Sequence, residues 1–326
     1  MLHVRTMITL LLIFLLVFVK NIATWSDEPH MLISYIAYHN LNDTQKAIID
    51  KIFQHSHDNH FNNPITAAAW ADDIKKHDHG RAPYSFSFRR NELLDIFNDW
   101  HYVKMAYNPT QANISSVYIH AHKGKHTGAG ITKHIYRTLV GVHKKPKHGT
   151  YYSYNFYLNF FIHVFSDIHQ PMHTINFYNT HFINGDKGGN DITVSYRGIT
   201  GNIHHLCDNI FNTRKNKWPY INMEVLKRDA ITLMNKYPIT SFREMLRIPE
   251  DKISYIDTIV KESHELATEH VYNRLPMEHL KKNVIFHVSK YFIKKLKRVL
   301  NKRMVLAGYR LSEYLKDILD SVPDDL

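Results

Sequence analysis

The chain has 326 residues and a formal net charge of +11, and its balance of 44% hydrophobic to 22% charged residues excludes an intrinsically disordered polymer. A single cysteine, Cys207, excludes an internal disulfide, so stability must come from core packing, helped by any metal the chain binds. The basic excess favours polyanionic partners such as nucleic acid or anionic lipid head groups, with a charge excess kept for solubility as the alternative.

Arg5 precedes an uncharged, almost wholly apolar run over residues 7–19, closed by Lys20. A spanning helix needs about 20 apolar residues, so this shorter run reads as a secretory signal rather than an anchor. Residues 1–24 are set aside as signal peptide, although the small-residue cleavage pattern before Trp25 is weak. A single domain is expected over 25–320, with an acidic, frayed tail over 321–326 and no stable membrane insertion once the signal is gone.

Within that domain, apolar residues recur at helical spacing over 43–55, 65–76 and 92–107. Thr66 is the expected N-cap of the second helix, and Asn108-Pro109 ends the third. The stretches 122–130 and 143–149 read as exposed basic loops. Residues 150–169 are aromatic and apolar nearly all round, the pattern of a centrally buried helix. In 185–202, Gly188-Gly189-Asn190 gives way to the alternating Ile192, Val194 and Tyr196, which predicts a short hairpin. Helices are expected over 223–237 and 253–272, then a basic helical pair over 281–319. The fold class is therefore all-α, with one small β excursion.

Histidine alone is a weak signal here, because 25 of them force some i,i+4 pairs by chance. The pattern HVFSDIHQPMH over 163–173 is stronger. His163 and Asp167 are four apart near the end of the buried helix and project from one face. Pro171 stops the helix, and His173 lies just beyond. His204 and Asp208 repeat the spacing on a second element. Imidazole nitrogen and carboxylate oxygen on rigid elements are the donors that zinc and similar ions take, and two such pairs suggest more than one metal.

These segments resemble the S1/P1 nucleases, zinc-dependent single-strand endonucleases and 3′-nucleotidases. The resemblance runs in order through Trp25 and His30, WADDIK (70–75), DWHYVK (99–104), HVFSDIHQPMH, DKGGNDITV (186–194), NIHHLCD (202–208) and LAGYRLSEYL (306–315). It implies the phospholipase C/P1 nuclease type of helical fold and three zinc ions. Carried over by position, Asp72, His101, His163 and Asp167 would hold one zinc, and His173, His204 and Asp208 a second. Trp25, through its α-amine and carbonyl, would hold the third with His30 and Asp167; only cleavage before Trp25 creates that amine.

The implied activity is hydrolysis of single-stranded DNA or RNA to 5′-phosphate products, with 3′-nucleotidase activity, in the secretory pathway or outside the cell. Asp167 and Lys75 are the implied catalytic residues, Lys75 standing where relatives place an arginine near phosphate and offering a point charge without bidentate geometry. Tyr102 and Asn190 are the implied substrate contacts, Tyr102 as a base-stacking aromatic suited to unpaired bases. Lys104 departs from the acidic residue frequent in the family, and disulfide cysteines of many relatives are missing. His169, His205, Trp70 and Trp100 are expected to stand outside the ligand set, with Cys207 a buried inert thiol. Two alternatives remain at this stage: a zinc phospholipase C of the same fold, and a histidine-rich metal-binding protein without catalysis. No protein partner is inferred.

Overall fold

The computed structural model describes residues 25–56, 58–74, 92–141, 150–209 and 221–323. Eleven α-helices and five short strands lie within them. Helices α1 (Asp27–His39) and α2 (Asp43–Gln54) open the chain. A capping box starts α2: the Asn42 side chain accepts from Gln45 N–H while the Gln45 side chain accepts from Asn42 N–H.

The expected helix over 65–76 is split into α3 (Pro64–Ala67) and α4 (Trp70–Asp73). Its cap is Asn63 rather than Thr66, because Asn63 Oδ1 accepts from Ile65 and Thr66 N–H and Pro64 takes the first helical position.

The expected helix over 92–107 is also divided. A 3₁₀ segment runs over Glu92–His101, then strand β1 (Met105–Tyr107) pairs in parallel with β2 (Ile175–Phe177). The backbone is drawn away from helix by partners distant in sequence: Val103 N–H donates to His173 O at 2.8 Å and Met105 N–H to Thr174 O at 3.1 Å. Helix α5 (Ser116–His120) follows, and α6 (Gly128–Gly141) begins inside the stretch expected to be loop, burying Gly128 and Ala129. The other expected loop, 143–149, lies outside the described residues.

Helix α7 (Tyr151–Asp167) meets the sequence expectation, and from Leu158 to Asp167 every residue is buried. The expected hairpin forms as β3 (Thr193–Tyr196) and β4 (Ile199–Asn202), leading directly into α8 (Ile203–Asp208). Helices α9 (Met223–Lys236) and α10 (Lys252–His270) cover the core. The basic segment is not a helix pair. Strand β5 (Ile285–His287) joins β3 in parallel, and one long helix, α11 (Lys290–Asp320), follows its Ser289 cap. Helix α11 passes close to α1 at Gly308, where an added Cβ would lie 2.6 Å from Ile36 Cβ. Only glycine permits that approach.

The result is a mainly helical protein with two small sheets. Among the described residues no helix is long and apolar enough to cross a membrane.

Candidate metal centre

The end of α7 and the turn after it bring the ligand-type side chains together. Helix α1 supplies His30, α4 supplies Asp72, and the 3₁₀ segment supplies His101 at its last residue. Helix α7 supplies His163 and Asp167, one turn apart, and the short 3₁₀ turn Pro171–His173 carries His173 back beside them. Helix α8 supplies His204 and Asp208.

Three groups result: His30, Asp72 and His163; His101, His163 and Asp167; and His173, His204 and Asp208, with the potential ligand atoms of each group within 4.8 Å of one another. Each could hold a metal ion. All of these side chains are buried except Asp72, which is partly exposed.

Asp167 lies between the groups. Its Oδ2 is 2.9 Å from His101 Nδ1 and 3.2 Å from His163 Nε2. Its Oδ1 is 3.2 Å from His173 Nδ1 and 3.4 Å from His30 Nε2. Burial alone would push its carboxyl up, but His163, His173 and His30 and the bond to His101 hold it well below the usual carboxylate range. Burial would likewise lower His163 and His173, but the neighbouring carboxylates prevail and raise both, His173 to about 10. His30 is the reverse case: burial and His163 lower it.

Three of the histidines are oriented from behind. His163 Nδ1 bonds Ala68 O at 2.7 Å, His173 Nδ1 bonds His101 O at 2.9 Å, and His204 Nδ1 bonds Gly188 O at 2.7 Å. With Nδ1–H donated to a carbonyl, each Nε2 lone pair is directed into the cluster, the arrangement metal-binding imidazoles use. The Gly188 carbonyl is placed by a loop in left-handed backbone at Lys187, Gly188 and Gly189. Asp186 holds that loop, accepting from Gly188 and Phe177 N–H and from Tyr272 Oη–H at 2.6 Å.

A cation fits this donor set. His30 Nε2, Asp167 Oδ1, His173 Nε2 and Asp208 Oδ2 are buried without a hydrogen-bond partner. A buried polar atom left so costs about 1–3 kcal/mol, and four that converge on neighbouring imidazoles and carboxylates form a donor set for ions.

The remaining expectations fall around this cluster. Trp25 is buried, and Ser26 beside it donates to Asp208 O from both its N–H at 3.4 Å and its hydroxyl at 3.2 Å, so the start of the described chain lies against the third group. The Tyr102 ring is half-buried, 4.9 Å from the His173 ring and 6.0 Å from that of His204. Its hydroxyl points inward, and burial, then Asp72, Asp208 and Asp167, raise it well above the tyrosine range. Asn190 sits on the Gly188 loop, its side chain donating to Lys187 O at 2.9 Å. Lys75 lies outside the described residues. Lys104 pairs with Asp99 at 2.7 Å on the surface.

His169 stands outside all three groups, its Nδ1 on Phe165 O, and His205 is exposed. Cys207 is a buried thiol pushed up by burial, and Trp70 and Trp100 pack edge-on against Phe160. Sequence reasoning missed Gln170, whose Nε2–H donates to Asp208 Oδ1 at 2.6 Å while its Oε1 accepts from Met172 N–H. It also missed Arg303, whose Nε–H donates to His169 O at 3.2 Å behind the same turn.

Fold and site together define a class of helical protein in which histidines and aspartates from six chain segments, all buried but the partly exposed Asp72, form adjoining groups around one carboxylate that could hold metal ions. The chain belongs to the S1/P1 nuclease family, whose profile matches residues 25–320, and is a hydrolase of that family. It is 23% identical to Endonuclease 4 of Arabidopsis thaliana over 306 residues, 92% of this chain and 90% of the relative. It is 27% identical to Endonuclease 2 of the same plant over 213 residues, 65% and 64% of the two chains. Nuclease S1 of Aspergillus oryzae matches over 51 residues at 43% identity, 16% of this chain and 15% of the relative.

Proposed function

We propose that this nuclease is zinc-dependent, hydrolyses single-stranded DNA and RNA to 5′-phosphate products, and removes the phosphate of 3′-nucleotides. The observation that carries the reading is Asp167, one carboxylate within 3.4 Å of four imidazoles from four chain segments. Metal ions bound in such a cluster lower the pKa of a coordinated water towards about 7 and stabilise a leaving oxygen.

The chain's own residues do the rest. His163, His173 and His204 hold their Nε2 atoms inward through backbone carbonyls, and Gln170 fixes the Asp208 carboxylate. Asp72, partly exposed, marks where the cluster meets solvent. The exposed part of the Tyr102 ring is the stacking surface for an unpaired base, a geometry a duplex cannot offer without unstacking. Asn190 contacts the substrate beside it, and Lys75 places a positive charge near the phosphate. Removal of residues 1–24 in the secretory pathway frees the Trp25 amine as a ligand for the ion shared with His30 and Asp167. The domain runs over 25–320 with an acidic tail beyond it.

The test is chelator-sensitive cleavage by protein beginning at Trp25, given single-stranded DNA, RNA, a 3′-nucleotide and a phosphatidylcholine analogue. The nucleic acids and the nucleotide should be turned over, and Asp167→Asn should lower the rate by at least about 10³-fold, the scale seen when a residue essential to transition-state stabilisation is lost. Lipid turnover without nucleotide turnover would overturn the reading.

A further inference from the structure

The metal centre leaves one strongly charged surface without a role. Residues 281–303 contain nine lysines and arginines and no aspartate or glutamate. A helix face kept merely for solubility interleaves both signs. Six of these cations, Lys290, Lys294, Lys295, Lys297, Arg298 and Lys302, are exposed on the first half of α11. Among the described residues no carboxylate lies within ion-pair distance of any of them. Tyr291 stands among them, 67% exposed, with Lys295 Nζ 5.4 Å from its ring centre.

The surface is linked to the site through the three-stranded sheet. Strand β5, just before α11, pairs with β3, whose hairpin partner β4 runs into α8 and so into His204 and Asp208. Lys282 reaches Asp191 at 3.0 Å, the residue after Asn190. The Lys282 end of the basic segment thus lies at the loop whose Gly188 carbonyl orients His204, and the α11 face begins at the other end of β5, where Val288 N–H donates to Ser195 O at 3.0 Å. From Lys290 to Lys302 it extends about 18 Å at the rise of an α-helix, roughly five nucleotides of a stacked strand.

We propose that this face of α11 binds the phosphate backbone of single-stranded nucleic acid outside the metal centre, holding the length of strand that the centre does not touch. Exposed cations interleaved with one aromatic are the elements of a sequence-tolerant single-strand surface. A membrane surface is disfavoured because a membrane-binding helix needs an outward apolar face, and Phe292, Leu296 and Leu300 are already buried in the core. The substrate class comes from the nuclease reading above, and the test separates the two.

Two variants are compared with wild type: Lys290→Gln/Lys294→Gln/Arg298→Gln/Lys302→Gln, and the charge-preserving Lys290→Arg/Lys294→Arg/Arg298→Lys/Lys302→Arg. Binding of a labelled thymidylate strand of about 30 nucleotides is followed by anisotropy in chelator over a potassium chloride series. Each single-strand phosphate contact contributes about 0.7 to the slope of log affinity against log salt. The neutralised variant should therefore lose about 2–3 from that slope, and the charge-preserving variant should keep it. With zinc present, the neutralised variant should cleave the long strand more slowly while cleaving a thymidine dinucleotide at the wild-type rate.

An unchanged slope, or equal losses on the long strand and the dinucleotide, would overturn the proposal. So would wild-type binding to phosphatidylserine vesicles that the neutralised variant loses while its strand binding is intact. A wild-type protein that binds the strand with the expected slope but cleaves neither substrate would overturn the nuclease reading and support the surface.

Discussion

Replacing Gln170 by leucine keeps the buried volume of the turn but removes the donor to Asp208 Oδ1 and the acceptor for Met172 N–H. The lost contact is a 2.6 Å hydrogen bond to a carboxylate with no solvent access on either side. Hydrogen bonds to charged groups are worth about 1.5–3 kcal/mol net. Removing a partner that orients a metal ligand costs about 10–100-fold in metal affinity, or roughly 1.4–2.7 kcal/mol. The two estimates agree, because the energy that fixes Asp208 beside His204 Nε2, 3.5 Å away, is the energy the ion would otherwise have to supply. Competition with a fluorescent zinc chelator should therefore show one ion leaving Gln170→Leu at about 10–100-fold weaker competition than wild type, with the others unmoved. Thermal melting in excess chelator checks that the turn still folds. A chelator curve within about twofold of wild type would refute the assignment of Gln170 to the His173–His204–Asp208 group.

Other outcomes follow from the electrostatics. With His173 raised to about 10 by the Asp167 and Asp208 carboxylates, the metal-free cluster holds a proton at pH 7 that an ion must displace. Zinc binding followed by calorimetry in buffers of different ionisation enthalpy should show net proton release, and affinity should fall as pH falls. His169 is the opposite case, held well below 6.5 by burial, then by Arg303 and Arg310. Above about pH 6.5 neither the folded nor the unfolded chain carries a proton there; below it only the unfolded chain does, so stability is lost at about 1.4 kcal/mol per pH unit. His169→Asn should remove that part of the slope in urea unfolding at pH 7.5 and 5.5, and leave cleavage within about threefold, as for a residue outside the reacting groups. A variant that folds normally but does not cleave would place His169 in the site after all.

How far the sequence can be read depends on whether an element's determinants are local. Helix α7 was legible because its aromatic and apolar residues surround the axis and its length exceeds any buried strand. The i,i+4 spacing of His163 and Asp167, and of His204 and Asp208, is also local, and both pairs fall in the clusters. Strand β1 was not legible, because Met105–Tyr107 reads as helix until Ile175–Phe177 supplies its backbone partners. Helix α1 lies immediately behind the signal-like segment and was passed over, although Met31, Leu32, Ile33, Ile36 and Ala37 form a buried face. The break between β5 and α11 needed Ser289 to be seen as a cap rather than as one more polar residue. Gln170 and Arg303 were missed for a common reason: neither is a ligand type, and each matters only through the group it touches, an Asp208 carboxylate 38 residues away and a His169 carbonyl 134 residues away.

The central claim is that three adjoining His/Asp groups around Asp167 each hold an ion. The most direct measurement is an anomalous difference map, recorded at the zinc edge, from crystals of protein beginning at Trp25 and grown with zinc. Three peaks are expected: one beside His30, one bounded by Asp72, His101, His163 and Asp167, and one between His173, His204 and Asp208. A map with no peak at the His173–His204–Asp208 group, or with its peaks only on exposed histidines such as His205, would contradict the account.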